Sequence, residues 1–111
     1  MTREEDIKKV VEQWKIHIPP EVEILTVWKV VEEYFPESVV KKKRGSHLYY
    51  VHWEQSKDLA RLYDLTKIDP FEADGRFLLP VSGGRFVKKV YINKLIKAIE
   101  YKEKYDEIRQ R

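Results

Sequence analysis

The stretch Lys41-Lys42-Lys43-Arg44-Gly45-Ser46-His47-Leu48-Tyr49-Tyr50-Val51-His52-Trp53 is the one around which the chain is organised. Four consecutive cations run into Gly45-Ser46, where glycine's tolerance of positive φ lets the backbone reverse tightly. The residues on either side are β-branched or aromatic, the composition of paired strands. A strand over Ser38–Arg44, with Val39 and Val40 at its buried end, and a return strand over His47–Trp53 are therefore expected. On the return strand His47, Tyr49, Val51 and Trp53 share one face, and Ser46, Leu48, Tyr50 and His52 share the other. Both faces carry large apolar groups. A sheet with helices on one side only should be polar on the other, so a cover for the second face is expected: the Leu59–Leu65 segment, a leading helix, a second subunit or stacked RNA bases.

Upstream, Ile7, Val10, Val11, Trp14 and Ile18 recur every three or four residues, which predicts a helix over Glu4–Ile18, capped by Thr2 and ended by Pro19-Pro20. Glu21–Leu25 fits a short strand or a helix start equally well. A second helix is expected from about Thr26 as its cap, with Val27, Trp28, Val30, Val31, Tyr34 and Phe35 on its apolar face and Pro36 as its stop.

Downstream, Glu54–Gly75 is a long acidic joint. Its carboxylates are Glu54, Asp58, Asp64, Asp69, Glu72 and Asp74, against Lys57, Arg61 and Lys67. A connection of this length ordinarily carries structure of its own. Leu59, Leu62, Tyr63 and Leu65 suggest a short helix, and Asp69-Pro70 and Asp74-Gly75 mark turns. Arg76–Ser82 reads as a third strand, placed at an edge by Pro80, which cannot donate to a ladder. Gly83-Gly84 makes a loop, and Lys88-Lys89 leads into a last helix with Ile92, Leu95, Ile96 and Ile99 on one face. The helical pattern continues through Tyr101, Tyr105 and Ile108.

These elements predict an α+β fold of order α-β-β-β-α, like a double-stranded-RNA-binding domain, with an extra N-terminal helix and an insertion between strands 2 and 3. At 111 residues the chain is expected to be a single domain over 1–111, with its core at 26–100 and the insertion at 54–75. Abundant Lys and Glu, no cysteine and a single methionine lean towards a thermophile. Without cysteine there are no disulfides, thiolate metal sites or thiol nucleophile. Three histidines without cysteines do not make a zinc site, so neither metal nor cofactor is expected. No signal peptide or membrane-length apolar run is visible, and a cytoplasmic protein is the expectation. Net charge is +3 and pI about 9.0. Such a balance permits nucleic-acid binding; the clustering at Lys41–Arg44 is what points to it.

His47 is the candidate catalytic group. Metal-free RNA cleavage needs a base near the 2′-hydroxyl and cations near the phosphate. A histidine titrating near pH ~6.5 serves as that base at neutral pH. Lys42, Lys43 and Arg44 can hold phosphate, and neighbouring cations favour neutral His47. His17 and His52 read as structural or exposed.

Gly45-Ser46-His47-Leu48-Tyr49-Tyr50-Val51-His52, followed downstream by Arg76-Phe77-Leu78-Leu79-Pro80-Val81-Ser82-Gly83-Gly84, a basic linker and the Tyr91–Ile99 helix, resembles the signature of the HicA-like (YcfA-type) mRNA interferase toxins. The resemblance spans about Thr26–Glu100 without the insertion. It implies a double-stranded-RNA-binding-like fold, an mRNA endoribonuclease activity using the motif histidine, here His47, and neutralisation by a HicB-like antitoxin. This chain departs from the family at Ser82, where many members have histidine, and in the insertion, the leading helix and the long tail. On this reading Lys41, Lys42, Lys43, Arg44, Gly45, Ser46, Arg85, Lys88 and Lys89 bind RNA. The residues alone leave two other readings open: a non-catalytic RNA-binding module, and an interaction domain that forms a homodimer through its amphipathic helices.

Overall fold

The computed structural model describes residues 3–42, 48–68 and 70–109, without the side chains of Arg3 and Lys42. The expected cap Thr2, the segment Lys43 to His47, and Asp69 lie outside the described residues. The first helix, α1, covers Arg3–Ile16. It buries Ile7, Val11 and Trp14, with Ile18 following just past its end. Strand β1 is Glu21–Glu23 and helix α2 is Ile24–Tyr34. Strands β2 (Val39–Lys42) and β3 (Leu48–His52) form the hairpin centred on the basic run. Helix α3 (Gln55–Leu62) sits in the insertion, followed by β4 (Arg76–Pro80), β5 (Phe86–Lys88) and α4 (Lys89–Arg109).

The described residues thus form an α+β fold with four helices and two small antiparallel sheets. Its radius of gyration, 13.9 Å, is close to the ~13 Å of a compact chain of this length. No described helix is long and apolar enough to cross a membrane.

The three-stranded sheet has the order β2-β3-β4. Its register places Lys41 opposite Tyr50 and Tyr50 opposite Leu78; on the next outward row Val39, His52 and Arg76 align. Directly opposed residues share a face, so the inner face is built from Tyr49, Val51, Phe77 and Leu79, and the outer face from Lys41, Leu48, Tyr50, His52, Arg76 and Leu78. Val51, Phe77 and Leu79 are buried. The core beneath them comes from Val27 and Val31 of α2, Phe35 at its C-cap, and Ile92, Leu95 and Ile99 of α4. An aromatic cluster closes one end, with Trp53 5.2 Å from Phe35, 5.3 Å from Phe71 and 5.9 Å from Tyr105 between ring centroids. Tyr101 and Tyr105, on the continued helical pattern of the tail, pack against this core.

The second sheet was not expected. β1 pairs with β5, Val22 opposite Val87, and both valines are buried while Glu21, Glu23 and Lys88 stay in solvent. The main-chain N–H of Ile24 donates to Arg85 O at 2.8 Å, so α2 starts where β5 begins. This corrects the expected start at Thr26: Glu23 holds the cap position, without a side-chain bond, and Thr26 lies inside the first turn.

Two other expectations are corrected. Val39 and Val40 are 48% and 41% exposed rather than buried: Val39 shares the outer-face row of His52 and Arg76, and Val40 stands on β2, an edge strand. Of the four apolar residues assigned to the insertion helix, only Leu59 is buried. Leu62, Tyr63 and Leu65 lie at and beyond the helix end, where Asp64 takes the left-handed conformation (φ 56°) and the Leu65 N–H reaches back to Ala60 O at 2.8 Å. The insertion fastens itself to the body through Ile68 and Phe71. It re-enters the sheet through Gly75, whose φ of +87° and 3.1 Å approach of a built Cβ to both Trp53 O and His52 Cδ2 leave room for glycine alone.

Candidate nucleic-acid interface

Lys41 is exposed on β2, in the outer-face row with Tyr50 and Leu78. Lys42 follows it, its Cα paired with that of Tyr49. Lys43, Arg44, Gly45, Ser46 and His47, the densest part of the expected site, lie outside the described residues. The neighbouring outer face is a mixed apolar and cationic surface. The Arg76 guanidinium sits 5.4 Å from the Tyr50 ring centroid and bonds Asp74 through Nε at 2.7 Å. That hydrogen bond, with a second from the Arg76 main-chain N–H, holds the Asp74 carboxyl below its usual range. Leu78 is 50% exposed and Leu48 and Tyr50 are half-buried. Glu72 and Asp74, from the end of the insertion, border this face and line a hollow with Leu48, Tyr50, Arg76 and Leu78.

Arg85, Lys88 and Lys89 belong to a different part of the fold. Arg85 is exposed in the turn before β5, 5.3 Å from the Phe86 ring centroid. Gly83 and Gly84 give that turn its two positive φ angles, 59° and 73°. Lys88 is exposed on β5, its Cα paired across the small sheet with that of Glu21. Lys89 opens α4 and lines a groove with Trp14, His17 and Asn93. These three cations therefore sit on the two-stranded sheet and its junction with α4, and Lys41 on the three-stranded one.

Ser82, which replaces a histidine of the resembled family, is half-buried and closes the turn: its N–H donates to Phe86 O at 2.6 Å. His52 is the last residue of β3, its Nε2 2.9 Å from Glu54 Oε2. The Nε2 atom is shielded from solvent, and the Glu54 contact is close without a well-directed hydrogen bond. Lys57, first, and His52 draw the Glu54 carboxyl below its usual range.

Charge is segregated across the molecule. A groove of about 760 Å³ between α1, the end of α2 and the second half of α4 is lined by Glu4, Glu12, Glu33, Glu103, Asp106 and Glu107, against Lys8 and Lys102. Tyr34 lies in it, and burial, followed by Glu103, Glu12, Glu33 and Glu4, pushes its phenol up to about 12. A raised phenol pKa favours the folded state below the unfolded value of ~10 and loses that contribution as pH climbs through 12. Urea midpoints should therefore fall between pH 10 and 12 in the parent and fall less in Tyr34→Phe. Its carboxylates disfavour a phosphate in this groove.

Sequence reasoning did not find the groove between α2 and β2, where Trp28 meets Tyr49 edge-on at 5.0 Å. Both residues read as ordinary core positions, and only the placement of β2 at the sheet edge opens the space between them. Searches against protein-family models, curated proteins and solved structures give no match to this chain.

Proposed function

We propose that this chain is a HicA-like RNA-binding protein with a core of double-stranded-RNA-binding type, and that His47 acts in it as the general base of an mRNA endoribonuclease. The observation that carries the reading is the division of labour between the two ends of the β2–β3 hairpin. The Cα of Lys42 pairs with that of Tyr49 at one end, and in the sequence Lys43 to His47 joins the two strands there. The acidic insertion leaves from the other end, after His52, and spends Leu59, Ile68 and Phe71 on the core. Setting aside α3 and β5, the antiparallel run β2-β3-β4 between α2 and α4 is what supports reading the core this way.

In the reaction, neutral His47 takes the proton of a ribose 2′-hydroxyl, and the resulting oxygen attacks the adjacent phosphorus. The bond to the 5′-oxygen breaks, water protonates that leaving oxygen, and a 2′,3′-cyclic phosphate remains. Cations of the Lys41–Arg44 run stabilise the extra negative charge on the phosphoryl oxygens. A HicB-like antitoxin is the protein partner this reading implies.

RNA affinity should fall steeply with salt, since each neutralised phosphate releases counterions. Lys41→Ala should weaken binding about equally for all sequences and lower the slope of log affinity against log salt by about 1. Filter binding or anisotropy over a salt series measures both. An affinity indifferent to salt removes the RNA-binding reading.

A further inference from the structure

Strand β2 ends the order β2-β3-β4, and among the described residues β3 is the only strand paired with Val39–Lys42. Alternate N–H and C=O groups of β2 therefore point away from the sheet. Beside that edge, on the inner face, lies a groove of about 520 Å³ between β2 and α2. Trp28, Val31, Phe35, Val40 and Tyr49 give it an apolar lining, with Glu32 on its wall. Val40 stands on the groove side, since it is opposite buried Val51; Lys41, opposite Tyr50, faces the other way. Trp28 is half-buried and Val40 is 41% exposed, so both keep surface for an occupant.

We infer that this edge takes an extended segment of a partner protein as a further strand, and that the segment alternates apolar with acidic residues. The inference does not depend on the RNA reading. The pleat dictates the alternation. On an added strand, side chains opposite Val40 point to the inner side, over the groove, and their neighbours point to the outer side, beside Lys41. Lys41 is exposed, and Lys42-Lys43-Arg44 follow it in the sequence. Charge complementarity thus asks for carboxylates at the outward positions. Glu32 disfavours a carboxylate on the groove side, where the lining suits valine, isoleucine or leucine. Main-chain bonds to the edge supply affinity, and the groove and Lys41 supply the selectivity. A second copy of this chain is a poorer occupant. It brings the same cations to the same edge, and lysine on an edge strand is a device against such self-pairing.

The test uses the full chain and a capped peptide of about seven residues that alternates glutamate with valine. It should bind about tenfold or more tightly than its counterpart with lysine at every glutamate. Lys41→Glu should cut that preference by about fivefold or more. N-methylating the valine amides in one peptide and the glutamate amides in another should abolish binding in one case and spare it in the other, because only one set faces β2. Amide exchange should slow at alternate residues of Val39–Lys42 when the peptide binds. Trp14 and Trp53 are buried, so a change in tryptophan emission on binding should come from Trp28 and vanish in Trp28→Phe. Equal affinity for the acidic and basic peptides, or equal effects of the two methylation patterns, overturns the inference. So does absence of peptide binding, and the same measurements then name the occupant. Concentration-dependent dimers that slow exchange on β2 assign the edge to a second copy. An oligoribonucleotide that slows exchange there and shifts Trp28 emission assigns it to RNA.

Discussion

Trp53→Ala should cost about 3–5 kcal/mol of folding stability, a loss on the scale of the whole ~5–15 kcal/mol that holds a typical domain together. Trp53 is 1% exposed and is the hub of the aromatic cluster, touching Phe35 at the C-cap of α2, Phe71 of the insertion and Tyr105 of α4. Its indole N–H donates to Gln55 Oε1 at 2.8 Å, and Gln55 in turn bonds Glu37. Removing the indole leaves a cavity that three separate segments would have to collapse into together. It also frees the insertion from the sheet. Thermal melts should show a drop of about 15 °C or more. Leu65→Ala, at a position 51% exposed, should stay within ~0.5 kcal/mol of the parent. Similar shifts for the two variants would mean that the insertion does not anchor through Trp53.

His47→Ala should lower RNA cleavage by about 10²–10⁴-fold, the usual contribution of a positioned general base. RNA affinity and its salt slope should barely change, because the cations that bind phosphate are retained. With a single titrating residue, the rate should rise through the histidine range near pH ~6.5 and then level off. A bell-shaped profile would require a second titrating group. Ser82 does not titrate in that range, and His52 stands at the far end of β3 beside Glu54. The measurement is product formation by purified parent and variant over a pH series. Equal cleavage by the two proteins removes His47 from the chemistry.

The helices were legible because their signal is local and periodic. Ile7, Val11 and Trp14, and Ile92, Leu95 and Ile99, repeat at helical spacing and are buried as that spacing demands. The β2–β3 hairpin was legible for a similar reason, since glycine and serine between two β-rich runs specify a reversal wherever they occur. The alternation in β4, with Phe77 and Leu79 buried and Arg76 and Leu78 exposed, follows the period of a one-sided sheet. Much less could be read of β1 and β5. Each is three residues long, and neither can be told from loop until Val22 and Val87 meet across more than sixty intervening positions.

The candidate site divides in the same way. That the cations and His47 are neighbours follows from the order of residues along the chain, together with the chemistry that such neighbours allow. Where the other cations lie does not: Arg85, Lys88 and Lys89 were grouped with them by charge, yet they belong to the second sheet, with Lys88 opposite Glu21. Val39 and Val40 looked like core because they are valines. Their exposure follows from the outer-face place of Val39 and from β2 being an edge strand, properties of the assembled sheet and of no single residue.

By itself, then, the sequence determined the helical stripes, the hairpin around Lys41–Trp53 and the type of chemistry available at its turn. Each depends on residues within a few positions of one another. Tertiary structure alone decided that the acidic insertion folds onto the Trp53 cluster and that a groove lies between Trp28 and Val40. Those features arise from contacts between distant segments, where the burial of Phe71 and Ile68 outweighs any local preference of the acidic joint that carries them.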